Sequence, residues 1–295
     1  MSRARGQGRL FSSTVRSRRD LAASAHSSRR SHRIGHRHDR DGPGRGSRRG
    51  ARMSILVITG TGTDVGKTVV TAAIAALARD RGSRVAVVKP GQTGVGVGEP
   101  GDLDAVRRLS LIDDLHEHVR YPDPLAPAAA ARVSGLPSLD LATSVAAIRA
   151  LGEDHELVLV EGAGGLLVRY DDDGSTIADW ARLLSADVLV VAHPQLGTLN
   201  STALTLEALA HRGLTLAGVV LGSWPRDPDL ASRCNIRDLE TLAARPLSGA
   251  LADGAGAFDP LEFLLAARAG LEPALGGIFD ASDFRRKYDP LEGHS

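Results

Sequence analysis

"ITGTGTDVGKTVV", Ile58 to Val70, joins a short apolar run to an Ala-rich stretch, and its glycine spacing decides how the chain is read. Gly66-Lys67-Thr68 has the form of the end of a phosphate-binding loop, whose usual pattern places four residues between the first glycine and Gly-Lys-Thr. Here that position is Thr61, and the framing glycine is Gly60, one residue earlier. The extra residue lengthens the loop without removing a chemical part. A glycine-rich turn between strand and helix presents backbone N–H groups, here over Asp64, Val65, Gly66, Lys67, Thr68 and Val69, to an anion at the positive end of the helix. Lys67 adds a full charge on the β/γ-phosphates, and the Thr68 hydroxyl reaches Mg²⁺.

Outward from this loop, apolar runs alternate with helical stretches. Strands are expected at 55–59, 85–89, 157–161, 188–193 and 216–222, with helices around 66–81, 102–151 (one or more), 177–184, 200–211 and 259–269. The strands are continuous apolar runs, as required when helices cover both faces of a parallel sheet. This predicts a doubly wound α/β fold, mostly parallel, of the P-loop NTPase kind. In such folds ligands bind beyond the carboxyl ends of the strands, where 59–68, 89–94, 161–165 and 193–200 all fall.

Composition divides the chain. Residues 1–52 hold fifteen Arg, no Lys and three Asp, a net of +12, so the remaining 243 residues carry −11 against the overall +1. The Arg/Ser/Gly-rich head has few apolar groups and is expected to be disordered, with Met53 a candidate for the true start and 53–295 a single catalytic domain. A transit-like peptide and a nucleic-acid-binding arm are the other readings of the head. The single cysteine, Cys234, forms no intrachain disulfide, and no run reaches the roughly 18 apolar residues of a membrane span. A cytoplasmic protein with no membrane partner is expected, and no nucleic acid for the folded part.

Only three lysines occur, at 67, 89 and 287. Lys89, in "VVKPGQTG", ends an apolar run, and a cation there is costly unless it meets an anion. Glu161, in "LVLVEGAGG", holds the position of a carboxylate that binds Mg²⁺ directly or through water, and Gly162, Ala163 and Gly164 let backbone approach a ligand. Asp102 would complete an oxygen site with Thr68 and Glu161, with Asp104 a close competitor. "QLGTLNS", 195–201, is either a carboxylate-binding helix start or a simple cap.

"TGTGTDVGKT", "KPGQTG", "VEGAGG" and "LGTLN", in this order over about residues 54–254, resemble the dethiobiotin synthetases, whose members share the lengthened loop. The resemblance implies an ATP-dependent ligase of biotin biosynthesis that joins CO₂ to 7,8-diaminopelargonic acid. It further implies that Lys67, Lys89 and Thr63 act on the reacting charge and that Thr93 meets the diamine. Thr68, Asp102 and Glu161 would hold Mg²⁺, and Gly197, Thr198, Leu199 and Asn200 would bind the substrate carboxylate across a homodimer interface. Two other classes are weighed. A partitioning-type ATPase binding DNA or membrane carries a second lysine early in the loop, where this chain has Thr61 and Thr63. A cobyrinate-type amidotransferase needs a nucleophilic cysteine, and Cys234 lies in the polar "SRCNIRD".

One departure from the family carries a prediction. Many relatives have Asn-Asp after the 216–222 run, the Asn reading adenine, where this chain has Gly222-Ser223. Competing nucleoside triphosphates should therefore bind within about tenfold of ATP, the worth of one readout hydrogen bond. A competition series showing strong ATP preference would contradict this.

Overall fold

The computed structural model describes residues 54–291. The expected disorder of the basic head and the candidate start at Met53 lie outside the described residues. Strands β1 (Ser54–Gly60), β2 (Val85–Thr93), β3 (Leu115–Tyr121), β4 (Leu157–Gly165), β5 (Asp187–Ala192), β6 (Leu216–Trp224) and β7 (Gly249–Ala252) form one sheet of order β3-β2-β4-β1-β5-β6-β7. All of its pairings are parallel.

Alternate strand residues enter two separate cores. Val57, Val88, Val158, Val160, Val188, Val190 and Val219 face one side. There they meet α4 (Leu141–Asp154) through Val145 and Ile148, α5 (Ile177–Leu184) through Ile177 and Trp180, and α7 (Leu230–Ala243) through Ile236 and Leu239. Leu56, Ile58, Val87, Leu159, Leu189 and Val220 face the other side. They are covered by α1 (Lys67–Asp80), α2 (Asp102–Ser110) and α8 (Pro260–Gly270). Two buried faces are why these strands lack a polar alternation. No helix among the described residues is long and apolar enough to cross a membrane.

The five expected strands are the five central ones. The two missed, β3 and β7, are the edges. β3, "LHEHVRY", is half-buried along most of its length, and β7 has only four residues. An edge strand has one neighbour and less to bury, so its sequence carries a weaker apolar signal. The helical region expected over 102–151 is correspondingly split into α2, α3 (Pro127–Ser134) and α4, with β3 between the first two.

A second correction concerns strand length. Lys89 and Glu161 were expected at strand ends, but β2 continues to Thr93 against β3, and β4 continues to Gly165. Lys89 pairs in register with Glu117 of β3. The ladder between β2 and β4 nevertheless stops at Val88↔Val160, and β4 then rejoins β1 at Gly60↔Gly165. The two strands thus separate just where Lys89 and Glu161 begin, opening a gap in the sheet.

The C-terminal part is built into the domain. The helix α9 (Ala281–Tyr288) sets Phe284 and Tyr288 against Trp224, ring centroids 4.8 and 5.1 Å away. Arg285 pairs with Glu240 of α7 at 2.5 Å, and Arg237 of α7 with Asp289 at 2.9 Å.

In α8, Phe263 is fully buried against the core beside α1. Phe263→Ala should cost about 3–5 kcal/mol of stability, seen in urea unfolding as a lower midpoint at unchanged slope. A midpoint near that of the wild type would mean that α8 is not part of this core.

Candidate active site

The loop between β1 and α1 is shaped by close backbone packing. Gly66 takes φ 92° at the helix N-cap, and a Cβ there would lie 2.6 Å from the carbonyl oxygen of Gly222. In return, a Cβ on Gly222 would lie 2.0 Å from the carbonyl oxygen of Val65. The Val65 side chain is buried in the core and fastens the loop from beneath, while Asp64 takes a positive φ of 57°. No side chain caps α1 and no acidic residue lies in its first turn, so its free N–H groups and positive end stay available to an anion. Lys67 is buried, and its Nζ donates to the carbonyl of Gly62 at 2.9 Å. Burial first, then repulsion from Lys89, hold the Lys67 ammonium below its usual range, with Glu161, Asp102 and Asp64 partly opposing. This cation lacks a full counter-charge.

Lys89 has the opposite balance. Its side chain is 4% exposed, and its Nζ lies 2.6 Å from Asp102 Oδ2 and 2.7 Å from Glu161 Oε1. It also donates to the Gly162 carbonyl at 3.4 Å. Burial lowers its pKa, but the two carboxylates outweigh burial and raise it above the ordinary lysine value. Asp102 mirrors this: burial pushes its carboxyl up, and Lys89 pulls it below the usual range. Glu161 is fully buried. Its Oε1 accepts from Lys89 and from the Thr68 hydroxyl at 2.9 Å, and its Oε2 has no partner.

These groups line or underlie a cleft of about 860 Å³. Thr63, Asp64, Gly66, Lys67, Thr68, Val69, Lys89, Thr93, Asp102, Ala163 and Gly164 border it, so most of the residues singled out in the sequence converge here. Of the two competing aspartates, Asp102 meets Lys89. Asp104 instead accepts from the Gly101 amide at 2.8 Å and pairs with Arg107, as a helix-capping residue. Gly197, Thr198, Leu199 and Asn200 do not border the cleft of their own chain. They open α6 (Thr198–His211) beyond β5. Gly222 does not border it either, and Ser223 donates to Asp253 at 2.5 Å.

Sequence reasoning left two polar side chains without a role. Gln92 is buried, accepts from the Asp102 amide at 3.0 Å and donates to the Thr93 carbonyl at 3.1 Å, closing the 94–101 loop at its base. Tyr170 is fully buried, and its hydroxyl accepts from the Ala163 amide at 2.5 Å. Burial pushes this phenol up to about 12. Gln92 lies within the quoted "KPGQTG" stretch, in which only Lys89 and Thr93 were assigned a part, and Tyr170 belongs to no motif.

A phosphate loop at a helix start, beside a buried lysine held by two carboxylates, defines a nucleotide-using enzyme of the P-loop class, and the AAA domain family model matches residues 54–253. An ATP-dependent dethiobiotin synthetase from Parafrankia sp. is 66% identical over 236 residues, covering 80% of this chain and 99% of the relative. One from Frankia casuarinae is 66% identical over 237 residues, 80% of this chain and 100% of the relative. One from Streptomyces avermitilis is 56% identical over 238 residues, 81% and 100%. The chain belongs to the ATP-dependent dethiobiotin synthetases, C–N-bond-forming ligases of biotin biosynthesis.

The pairing of Asp102 sets a pH dependence. Its carboxyl titrates lower in the folded protein than its ordinary 3.8, so the folded state holds the fewer protons. Its contribution to stability is therefore present above the ordinary value and lost as pH falls through the depressed one. Asp102→Asn should be less stable than the wild type at neutral pH, by a margin that closes as the pH falls below about 4. Urea unfolding of both proteins across pH checks this, and a margin independent of pH would refute it.

Proposed function

We propose that the cleft closes the cyclic urea of dethiobiotin from 7,8-diaminopelargonic acid, CO₂ and ATP. One amine takes up CO₂ as a carbamate and loses a proton. A carbamate oxygen attacks the γ-phosphorus of ATP and ADP leaves. The second amine then attacks the carbonyl carbon of this carbamic-phosphoric anhydride, losing a proton as phosphate departs. No step asks for a protein nucleophile. The protein supplies position and charge, the main demands of phosphoryl transfer.

The single observation that carries this reading is the pair of buried lysines with opposite balances. Lys67, short of counter-charge at an uncapped helix start, suits ATP phosphates in the part of the cleft bordered by Asp64 and by Gly66 to Val69. Lys89, beside Thr93 in the same cleft, suits the carbamate and the migrating phosphoryl group, with Thr63 near the same charge. The donors of Thr68, Asp102 and Glu161 are all oxygen, and the buried Oε2 of Glu161 lacks a partner, a set that fits Mg²⁺. Bound there, Mg²⁺ would neutralise and orient the phosphate oxygens. Lys89 now bridges the two carboxylates, as a cation would.

The helix start at 197–200 fits the substrate carboxylate of a second copy in a homodimer. It lies off its own cleft, and Leu196 beside it and Leu204 one turn on are 87% and 58% exposed. An apolar surface next to a helix start that no side chain caps suits a subunit contact with a ligand at its margin.

Lys89→Ala should lower turnover by about 10²–10³-fold, because it removes charge wanted chiefly in the transition state. Phosphate release by the full chain with MgATP and bicarbonate, with and without 7,8-diaminopelargonate, checks both points. The expected result is diamine-dependent release with a cyclic urea detected by mass. Release indifferent to the diamine, or a variant within a few-fold of the wild type, would overturn the reading.

A further inference from the structure

Tyr170 lies outside every motif of the chain, yet it touches both strands that carry the buried charges, β2 at Gly91 and β4 at Ala163. Its ring packs against Trp180, centroids 4.9 Å apart, and lies over Gly91, where a Cβ would come within 3.2 Å of the ring edge. Gly91 follows Lys89 by two residues, and Ala163 follows Glu161 by two. The ring therefore fills the gap left where β2 and β4 separate after Val88 and Val160.

The phenol's hydrogen bond has a geometric consequence. Its donor, the Ala163 N–H, belongs to the same peptide group as the Gly162 carbonyl. That carbonyl is the third oxygen facing Lys89 Nζ, after Asp102 and Glu161. A trans peptide is planar with its N–H and C=O pointing in opposite directions, so holding one aims the other. Gly162, which supplies the carbonyl of this peptide, has no side chain of its own to restrain its rotation.

We propose that Tyr170 is a positioning residue for Lys89: its hydroxyl fixes the 162–163 peptide so that the Gly162 carbonyl faces the lysine. This rests on the function proposed above for Lys89. Burial keeps the phenol protonated throughout the working pH range, so its oxygen remains a neutral acceptor. Its carbon skeleton fills the gap in the sheet, and its oxygen alone sets the peptide. The two roles can be separated experimentally.

Tyr170→Phe keeps the ring and strands the Ala163 N–H. In the full chain, kcat for diamine-dependent phosphate release should fall about tenfold, or ~1.4 kcal/mol of barrier. The KM for ATP should stay near the wild-type value, and the melting temperature should fall by no more than a few degrees, the cost of one stranded donor. Exchange of the Ala163 amide with solvent, read by NMR, should speed up by about tenfold or more. Gly91→Ala, which presses on the ring but keeps the hydroxyl, should shift kcat and exchange in the same direction, and it serves if Tyr170→Phe fails to fold. Unchanged Ala163 exchange in the folded variant, or a loss shared equally between kcat, KM for ATP and melting temperature, would overturn the inference. A wild type without diamine-dependent release would instead refute the proposed function, and amide exchange alone would then decide the role of Tyr170.

Discussion

The structure is organised around one ammonium group out of water. Lys89 reaches into the interior between Asp102 and Glu161, the second of which is fully buried. An unpaired ion there would cost several kcal/mol, and a buried pair repays that only with close geometry and further hydrogen bonds. Both are present: two carboxylate oxygens within 2.7 Å, a peptide carbonyl, and the Thr68 hydroxyl on the shared Glu161 oxygen. Several features of the domain serve this arrangement. β2 and β4 part at this point to make room, Gln92 holds the start of α2 and with it Asp102, and Tyr170 fills the space between the strands.

The two lysines of the cleft are specialised by their surroundings. Lys89 has more negative charge around it than it needs, so it is fixed in place and charged. Lys67 has less, and it borrows a carbonyl from its own loop. Near it the uncapped start of α1 adds further positive potential. A polyanion entering the cleft would supply what Lys67 lacks, whereas Lys89 already has its counter-charge from the protein. Lysine suits both places as a compact point charge in a chain that has only three lysines and otherwise uses arginine.

Much of this was legible locally. The order of the central strands' apolar runs, the loop at 60–68, and the lysine and glutamate that follow two of those runs all stand in the sequence as short-range patterns. The two candidate aspartates did not separate that way. Asp102 and Asp104 are two residues apart in one helix turn, and only the position of α2 against β2 turns the first toward Lys89 and leaves the second to cap. β3 stayed hidden because "LHEHVRY" spends its polar side chains on partners, Glu117 on Arg120 and His118 on Ser144 of α4, which a reading for apolar periodicity does not register. Gly222 appeared as a missing adenine contact. In three dimensions it is also a packing requirement, since the phosphate loop rests on its backbone.

The sequence by itself determined the class of fold, the phosphate loop and the identity of the two lysines, because each depends on residues close together in the chain. Hydrophobic periodicity sets which segments can be strands, and a glycine turn before a helix makes an anion site wherever it occurs. The tertiary structure alone decided which aspartate meets Lys89, where β2 and β4 diverge, that 197–200 lies off its own cleft, and that a tyrosine outside every motif touches both charged strands. These depend on distances between segments far apart in the chain, such as Lys89 and Glu161, 72 residues apart. Those distances are set by the packing of two cores against one sheet, and no local pattern encodes them.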